Sequence, residues 1–217
     1  MGSVIIVEDH RLIAETLRAG LASVGIDAQL ATPAQPAVLV ATLRAAAPVL
    51  VLLDLDLGEY GDSTGVIAPL ASSGIRTLVV SGTADRERIA LAFEAGAFGF
   101  HPKSDGFDAL VTKTSAALTS ARPLDEPLRR DLLAELGRTR AARADTYARF
   151  ERLTDRERDT LVALSRGFSV QAIAAQWVVS EATVRSHVRG VLAKLEVASQ
   201  LAAVAYALRT GWLANAA

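Results

Sequence analysis

Over the first 121 residues, short apolar runs alternate with stretches in which apolar residues return every three or four positions. Residues 4–7 (VIIV), 49–53 (VLVLL) and 77–80 (TLVV) are almost unbroken Val, Leu and Ile, the pattern of parallel strands buried on both faces. Weaker runs at 28–30 and 98–100 bring the strands to five. Helical spacing covers residues 11–24, with Leu12, Ile13, Leu17, Leu21 and Val24 along one side and Gly25 as the stop, then 37–46, 66–72, 85–95 and 105–119. This alternation predicts an α/β doubly wound five-stranded parallel sheet with helices on both faces.

After residue 121 the pattern changes. Residues 122–152 are dense in charge, with apolar positions thinned to Leu128, Leu132, Leu133 and Leu136. They predict a helical linker: one amphipathic helix bracketed by Pro123, Pro127 and Gly137, followed by a solvated helix or a mobile tether. From residue 153 every segment is helical in pattern. Thr154 is placed to cap a helix, with Glu157 three residues on to complete a capping box. A turn at 167–169, a short helix over 170–176 and a longer one after Ser180 follow, and in the longer one Val184, Val188, Val191, Leu192 and Leu195 share a face and should be core. The domain plan is 1–121, 122–152 and 153–217, the last an all-α unit.

Composition narrows the class. Hydrophobic residues make up 51% of the 217, enough for two cores. No apolar run is long enough to span a bilayer, and residues 1–10 lack the basic region of a signal peptide, so a cytoplasmic protein with no membrane partner is expected. The absence of cysteine excludes disulfides, thiol catalysis and Cys-ligated zinc, and three dispersed histidines argue against an all-His metal site. Residues 1–121 carry 8 Lys/Arg against 13 Asp/Glu, whereas 122–217 carry 15 against 11, so only the second half is suited to a polyanion.

The chemistry gathers where the strong strands end. Glu8 and Asp9 follow the first strand, Asp54 the third, Ser81 the fourth, and Lys103 lies just past the fifth. Parallel strands bring such ends together, and ligands of open α/β sheets bind beyond them. Three clustered carboxylates repel unless a cation sits among them, and Mg²⁺ suits an oxygen-rich set. A carboxylate held beside that ion can attack phosphorus, with Ser81 donating to a phosphoryl oxygen and Lys103 neutralising the added charge. The chain has only three lysines beside 20 arginines, which makes a lysine at this position informative.

At these residues, VEDH (7–10), LLDLDL (52–57), VVSG (79–82) and GFHPK (99–103), the first 121 positions resemble the receiver domain of two-component response regulators. The resemblance implies a flavodoxin-like fold with strand order 2-1-3-4-5. It also implies Asp54 as phosphoacceptor from a sensor histidine kinase, Glu8, Asp9, Asp54 and the backbone carbonyl of Asp56 as the Mg²⁺ site, and Ser81 with Phe100 as a switch pair. This chain departs from the pattern at three points. The loop after Asp54 is longer, with Gly58 where proline is common; Pro102 precedes Lys103 rather than following it; and Phe100 lacks the hydroxyl of the frequent tyrosine. Asp54 and Asp56 also resemble the paired acids of haloacid-dehalogenase-type phosphatases, but that family places its pair on its first strand.

In the second half, a short helix, a turn and a longer helix with basic residues near its start form helix-turn-helix geometry, although the charge pattern alone fits a solvated basic helix as well. LTDRERDTL, SVQAIAAQWVVSEATVRSHVRGVLAKLEV and AAVAYAL resemble the LuxR-type DNA-binding domain from 153 to about 212. Together the two resemblances give the architecture of the NarL/FixJ group. They imply Arg185, Ser186 and Arg189 at base edges, and Thr183, His187 and Lys194 toward phosphates. Gln200 stands where a basic residue is usual and Glu196 where glycine is frequent. The expected function is a phosphorylation-dependent transcription regulator that binds a double-stranded operator as a homodimer, not an enzyme beyond slow autodephosphorylation. The dimer contact is expected from Ala and Val exposed on the helix over 200–210. The alternative is a DNA-binding regulator whose receiver is not a phosphoryl switch.

Overall fold

The computed structural model describes residues 3–215. The chain divides into two compact units, Met1–Gly137 and Arg138–Ala217.

The first unit runs β1 (Val4–Val7), α1 (Arg11–Ser23), β2 (Ala28–Ala31), α2 (Pro36–Ala46), β3 (Leu50–Leu53), α3 (Thr64–Ser72), β4 (Arg76–Ser81), α4 (Arg86–Glu94), β5 (Gly99–Pro102) and α5 (Phe107–Thr119). The strands form one parallel sheet in the order β2-β1-β3-β4-β5. Side chains alternate across it. Ile5, Val7, Val51, Leu53, Val79 and Phe100 pack on one face with α2, α3 and α4, while Val4, Ile6, Leu50, Leu52, Leu78 and Val80 pack on the other with α1 and α5. Burial on both faces is why these strands read as unbroken apolar runs rather than alternating ones.

Two local expectations are corrected. The buried stripe of α1 is Ala14, Leu17 and Leu21, and Leu12, Ile13 and Val24 lie outside it, exposed. After residue 121, where a solvated helix and a mobile tether were both left open, the chain is helical, and the expected helix end at Gly137 is not found. A single helix, α6 (Glu126–Glu151), continues past Gly137. A mid-helix glycine costs roughly 1 kcal/mol against alanine, and burial at both ends of α6 offsets that. Leu132, 1% exposed, and Leu136 enter the core of the first unit beside Phe93 and Ile89 of α4, and Phe150 enters the core of the second.

The stretch before α6 also closes the open edge of β5. Leu124 N–H donates to Phe98 O at 2.7 Å, and Phe100 N–H donates to the Asp125 carboxylate at 3.0 Å. Lys113 of α5 donates to Asp125 at 2.8 Å and to Phe100 O at 2.6 Å. An edge strand whose polar groups are satisfied in this way is not left to pair with another chain.

The second unit contains the end of α6, then α7 (Asp155–Ser165), α8 (Val170–Trp177), α9 (Glu181–Leu195), α10 (Gln200–Arg209) and the short α11 (Trp212–Asn215). Its core holds Phe150 stacked between Tyr206 and Trp212, at 5.4 and 4.9 Å between ring centroids, with Leu153, Leu161, Val191, Leu195, Ala203 and Ala207 around them. Thr154 and Glu157 form the expected capping box, and Ser169, Ser180 and Ser199 each cap the helix that follows. Among the described residues no single helix is long and apolar enough to cross a membrane.

Candidate functional site

The register of the sheet puts the acids side by side. Val7 pairs with Leu53, and Asp54 N–H donates to Val7 O at 3.0 Å, so Glu8 and Asp54 leave adjacent strands together. Both are buried, Asp54 to 5% exposure. The β4–β5 register sets Ser81 beside Pro102, which delivers Lys103 to the same end of the sheet. Its ammonium donates to Glu8 Oε2 at 2.6 Å and to Asp54 Oδ2 at 2.7 Å. Burial alone would lower the pKa of Lys103, but its bonds to Asp54 and Glu8 outweigh this and hold it above the ordinary lysine value. The lysine therefore stays charged and is the cation that lets two buried carboxylates share a floor.

Asp9, His10, Asp54, Asp56, Gly58, Ser81, Gly82, Thr83, Arg88 and Lys103 line one cleft of about 610 Å³ above that floor. The sequence-read Glu8, Asp9, Asp54, Ser81 and Lys103 thus converge. Ser81 is buried to 2% exposure, and its Oγ accepts from Thr83 N–H at 3.3 Å. Phe100 is buried in the core with Val79 and Phe93 and does not line the cleft. Asp56 forms an antiparallel bridge with Asp62, in which the hydrogen bonds are made by Leu55 O with Ser63 N and by Leu57 N with Gly61 O. Asp56 N–H instead donates to Asp54 Oδ1 at 3.1 Å, and Asp56 lines the cleft.

The longer loop is built, not slack. Ser63 Oγ donates to the Asp54 carbonyl, and Asp62 Oδ1 accepts from Thr64 N–H at 3.1 Å and Thr64 Oγ at 2.7 Å. Gly58 has φ +59°, and a Cβ there would lie 2.7 Å from Asp9 Oδ2. Glycine is thus favoured at this position by the backbone angle, and any side chain there would displace the Asp9 carboxylate.

The carboxylates of Glu8 and Asp9 and the ring nitrogen of His10 have ligand atoms within 4.8 Å of one another. With Asp54 this is chiefly an oxygen donor set, the kind Mg²⁺ takes, so the residues fit that ion. His10 went unnoticed as a site residue in the sequence. Its Nδ1 lies 2.8 Å from Asp9 Oδ1 and 3.2 Å from Glu8 Oε1, and the Asp9 hydrogen bond above all raises its pKa. Arg88 was missed too, because nothing in the spacing of α4 announces that its side chain turns toward the cleft.

In the second unit, α8 and α9 join through Val178, which holds a left-handed φ of 56°. On α9, Val184, Val188, Val191 and Leu195 are buried as expected. Thr183, Arg185, Ser186 and Arg189 are exposed, and His187 is half-buried. Thr183 is drawn into the cap, its hydroxyl 2.9 Å from Ser180 Oγ, and Arg185 pairs with Glu181 at 2.9 Å.

Lys194, expected toward a phosphate, has a partner within the fold. Its ammonium sits 2.6 Å from Oε2 of buried Glu157 on α7, an ion pair that joins two helices. The exposed residues of α10 are only partly those expected: Ala205 is exposed, but Ala203 and Ala207 are buried and Val204 is half-buried, and Leu201 and Leu208 complete the outward stripe.

Two family comparisons match the chain: the response regulator receiver domain over residues 4–115 and the bacterial regulatory proteins of the luxR family over 151–207. Over 210 residues the chain is 27% identical to the uncharacterized transcriptional regulatory protein YhcZ of Bacillus subtilis, covering 95% of each. It is also 27% identical over 222 residues to the response regulator protein VraR of Staphylococcus aureus, covering 95% of this chain and 96% of that one. Among solved structures, RcsB of Salmonella enterica serovar Typhimurium, bound to the promoter rprA in the presence of phosphomimetic BeF3−, shares the fold with a TM-score of 0.51 and 19% identity over 95% of this chain and 98% of that one.

Proposed function

The chain belongs to the response regulators that join a receiver domain to a LuxR-type DNA-binding domain, and on that premise we propose that Asp54 accepts a phosphoryl group from a histidine kinase and thereby controls DNA binding. It is a DNA-binding transcription regulator. The receiver match replaces the phosphatase alternative. One observation carries the phosphoacceptor reading: a buried aspartate shares a lysine ammonium with a second buried acid, at the floor of an open cleft.

In the proposed reaction a carboxylate oxygen of Asp54 attacks phosphorus, the new O–P bond forms in line with the breaking bond to the donor's nitrogen, and that imidazole leaves. Lys103 compensates the charge gathering on the phosphoryl oxygens, and Ser81 Oγ donates to one of them. When bound, Mg²⁺ would be held by Glu8, Asp9, Asp54 and the Asp56 carbonyl and would supply charge neutralisation to the transferred group. Ser81 gives up its present bond from Thr83 to follow the phosphate, and the space it leaves is what Phe100 responds to.

The second unit reads DNA through α9, with Arg185, Ser186 and Arg189 toward base edges and Thr183 and His187 toward phosphates. Leu201, Ala205 and Leu208, spaced to share one face of α10, are the surface on which two readers meet as a homodimer. The protein works in the cytoplasm, where kinase and operator are both within reach.

Incubation with Mg²⁺ and acetyl phosphate followed by intact mass tests the phosphoacceptor. One acid-labile phosphoryl group is expected on the wild type and none on Asp54→Asn. No adduct on the wild type would instead favour a regulator whose receiver does not work by phosphorylation.

A further inference from the structure

One cation in the cleft has no part in the chemistry above. Arg88, in the first turn of α4, turns back over the cleft mouth, where its Nη2 donates to Leu55 O at 3.0 Å and to Asp62 Oδ1 at 3.2 Å. Leu55 directly follows Asp54, so the guanidinium is anchored one peptide away from the proposed phosphoacceptor and lines the same cleft. Lys103, the other cation there with a full charge, is already divided between Glu8 and Asp54.

A phosphoryl group on Asp54 adds charge and acceptor oxygens, and Lys103, still paired with Glu8, serves them only in part beside Ser81. A guanidinium presents forked donors that match phosphoryl oxygens, and bonds to a doubly charged group exceed those to an exposed carboxylate. Asp62 is a weak competitor. It is more than half exposed, at 55%, and an exposed ion pair is worth only about 0–1 kcal/mol. Thr64 continues to serve the Asp62 carboxylate if Arg88 leaves it, so release strands no buried charge.

We propose that Arg88 exchanges Asp62 for the phosphoryl group on Asp54, which makes it the group through which α4 senses phosphorylation. The proposal rests on Asp54 being the phosphoacceptor. Its consequence runs along α4. Arg86, two residues away, pairs with Glu135 of α6 at 2.9 Å, and Ile89 and Phe93 share a core with Leu132 and Leu136. The helix that would carry the new contact is thus the one on which the start of α6 is packed.

Beryllofluoride binding to the full chain in Mg²⁺, followed by ¹⁹F NMR, tests the exchange by the sign of two single variants. Arg88→Ala should weaken binding about tenfold, the loss of a bond to a charged group. Asp62→Asn should tighten it several-fold by removing the competitor, and that gain should vanish in the Arg88→Ala background. If Arg88 and Asp62 merely brace the loop, both single variants weaken binding, and that result overturns the exchange. So does wild-type affinity in Arg88→Ala, and either result leaves the phosphoacceptor reading intact. A wild type that binds no beryllofluoride removes that reading and the exchange with it.

Discussion

Lys194 of α9 and Glu157 of α7 face each other at 2.6 Å, with the Glu157 carboxylate also accepting from Thr154 N–H at 2.7 Å and from the Thr154 hydroxyl at 3.0 Å. A Cβ on Gly190 would overlap the same carboxylate, so α9 approaches α7 closely only because glycine stands there. Burial pushes the Glu157 pKa up, but the Lys194 and Thr154 bonds outweigh it and hold the carboxyl below the ordinary glutamate value. The sign follows: this contribution to stability is fully present above the ordinary glutamate pKa and is lost as pH falls through the depressed folded value. Lys194→Ala leaves a buried carboxylate with one partner fewer and should cost about 1–3 kcal/mol. Thermal unfolding read at the tryptophans, both of which lie in the second unit, measures it, and Lys194→Met distinguishes lost charge from lost packing.

The histidines offer a second test, because there are only three. The Asp9 hydrogen bond raises His10, whereas burial, reinforced by Lys113, lowers His101. NMR titration should therefore show His10 changing charge above the ordinary imidazole value and His101 below it, and Asp9→Asn should bring His10 down. Since the folded value of His101 is depressed, its contribution to stability is complete above the ordinary value and disappears as pH falls through the depressed one. An unshifted His10 in the native protein would mean that its contact with Asp9 is not kept in solution.

What could be read from the chain alone followed from how each feature is stabilised. Asp54 and Ser81 were legible because their strands are buried on both faces, so each unbroken apolar run ends visibly at a polar residue, whereas Lys103, past a weaker run, stood out because lysine is scarce in this chain. The continuity of α6 was not, because its apolar residues sit at opposite ends and serve different cores, leaving a charged middle that resembles a tether. The partners of Lys103, Arg88 and Lys194 were equally hidden. Glu8 is 95 positions from Lys103 and Glu157 is 37 from Lys194, and no periodicity encodes such pairs. The frequent glycine replaced by Glu196 has a clear physical meaning: the residue holds φ 57° at the end of α9, and its carboxylate pairs with Arg149 at 2.9 Å.

Gly58 tests the acidic pocket. Gly58→Ala places a methyl group against Asp9 Oδ2 and forces alanine into a left-handed backbone angle, so either the carboxylate or the loop must shift. Mg²⁺ affinity, followed by calorimetric titration, should fall on the order of tenfold, as when an outer support of a metal ligand is removed. Gly61→Ala is the control: it also lies at positive φ, 70°, but a Cβ there meets nothing within 4 Å. Equal losses in the two variants would trace the effect to backbone strain and not to Asp9.

Arg189 tests how the second unit finds its operator. Arg185 and Arg189 lie one helical turn apart on the exposed face of α9, and Arg185 is already tethered to Glu181 in a pair too exposed to hold it from DNA. An arginine near the start of a recognition helix can reach O6 and N7 of guanine together. Arg189→Ala should then cost about 1–3 kcal/mol at the preferred site and flatten discrimination among operator variants. Lys194→Ala is expected to behave differently, because its ammonium is already paired with Glu157. Its losses should come through the folded fraction, with the salt slope unchanged, whereas a true phosphate contact would lower that slope by about 1. If two readers meet through Leu201 and Leu208, protected half-sites should lie near one turn, roughly 10 bp, apart. Footprinting with competition binding across salt concentrations decides all three points, and a loss with Arg189→Ala that is uniform over random DNA would remove the base-reading role.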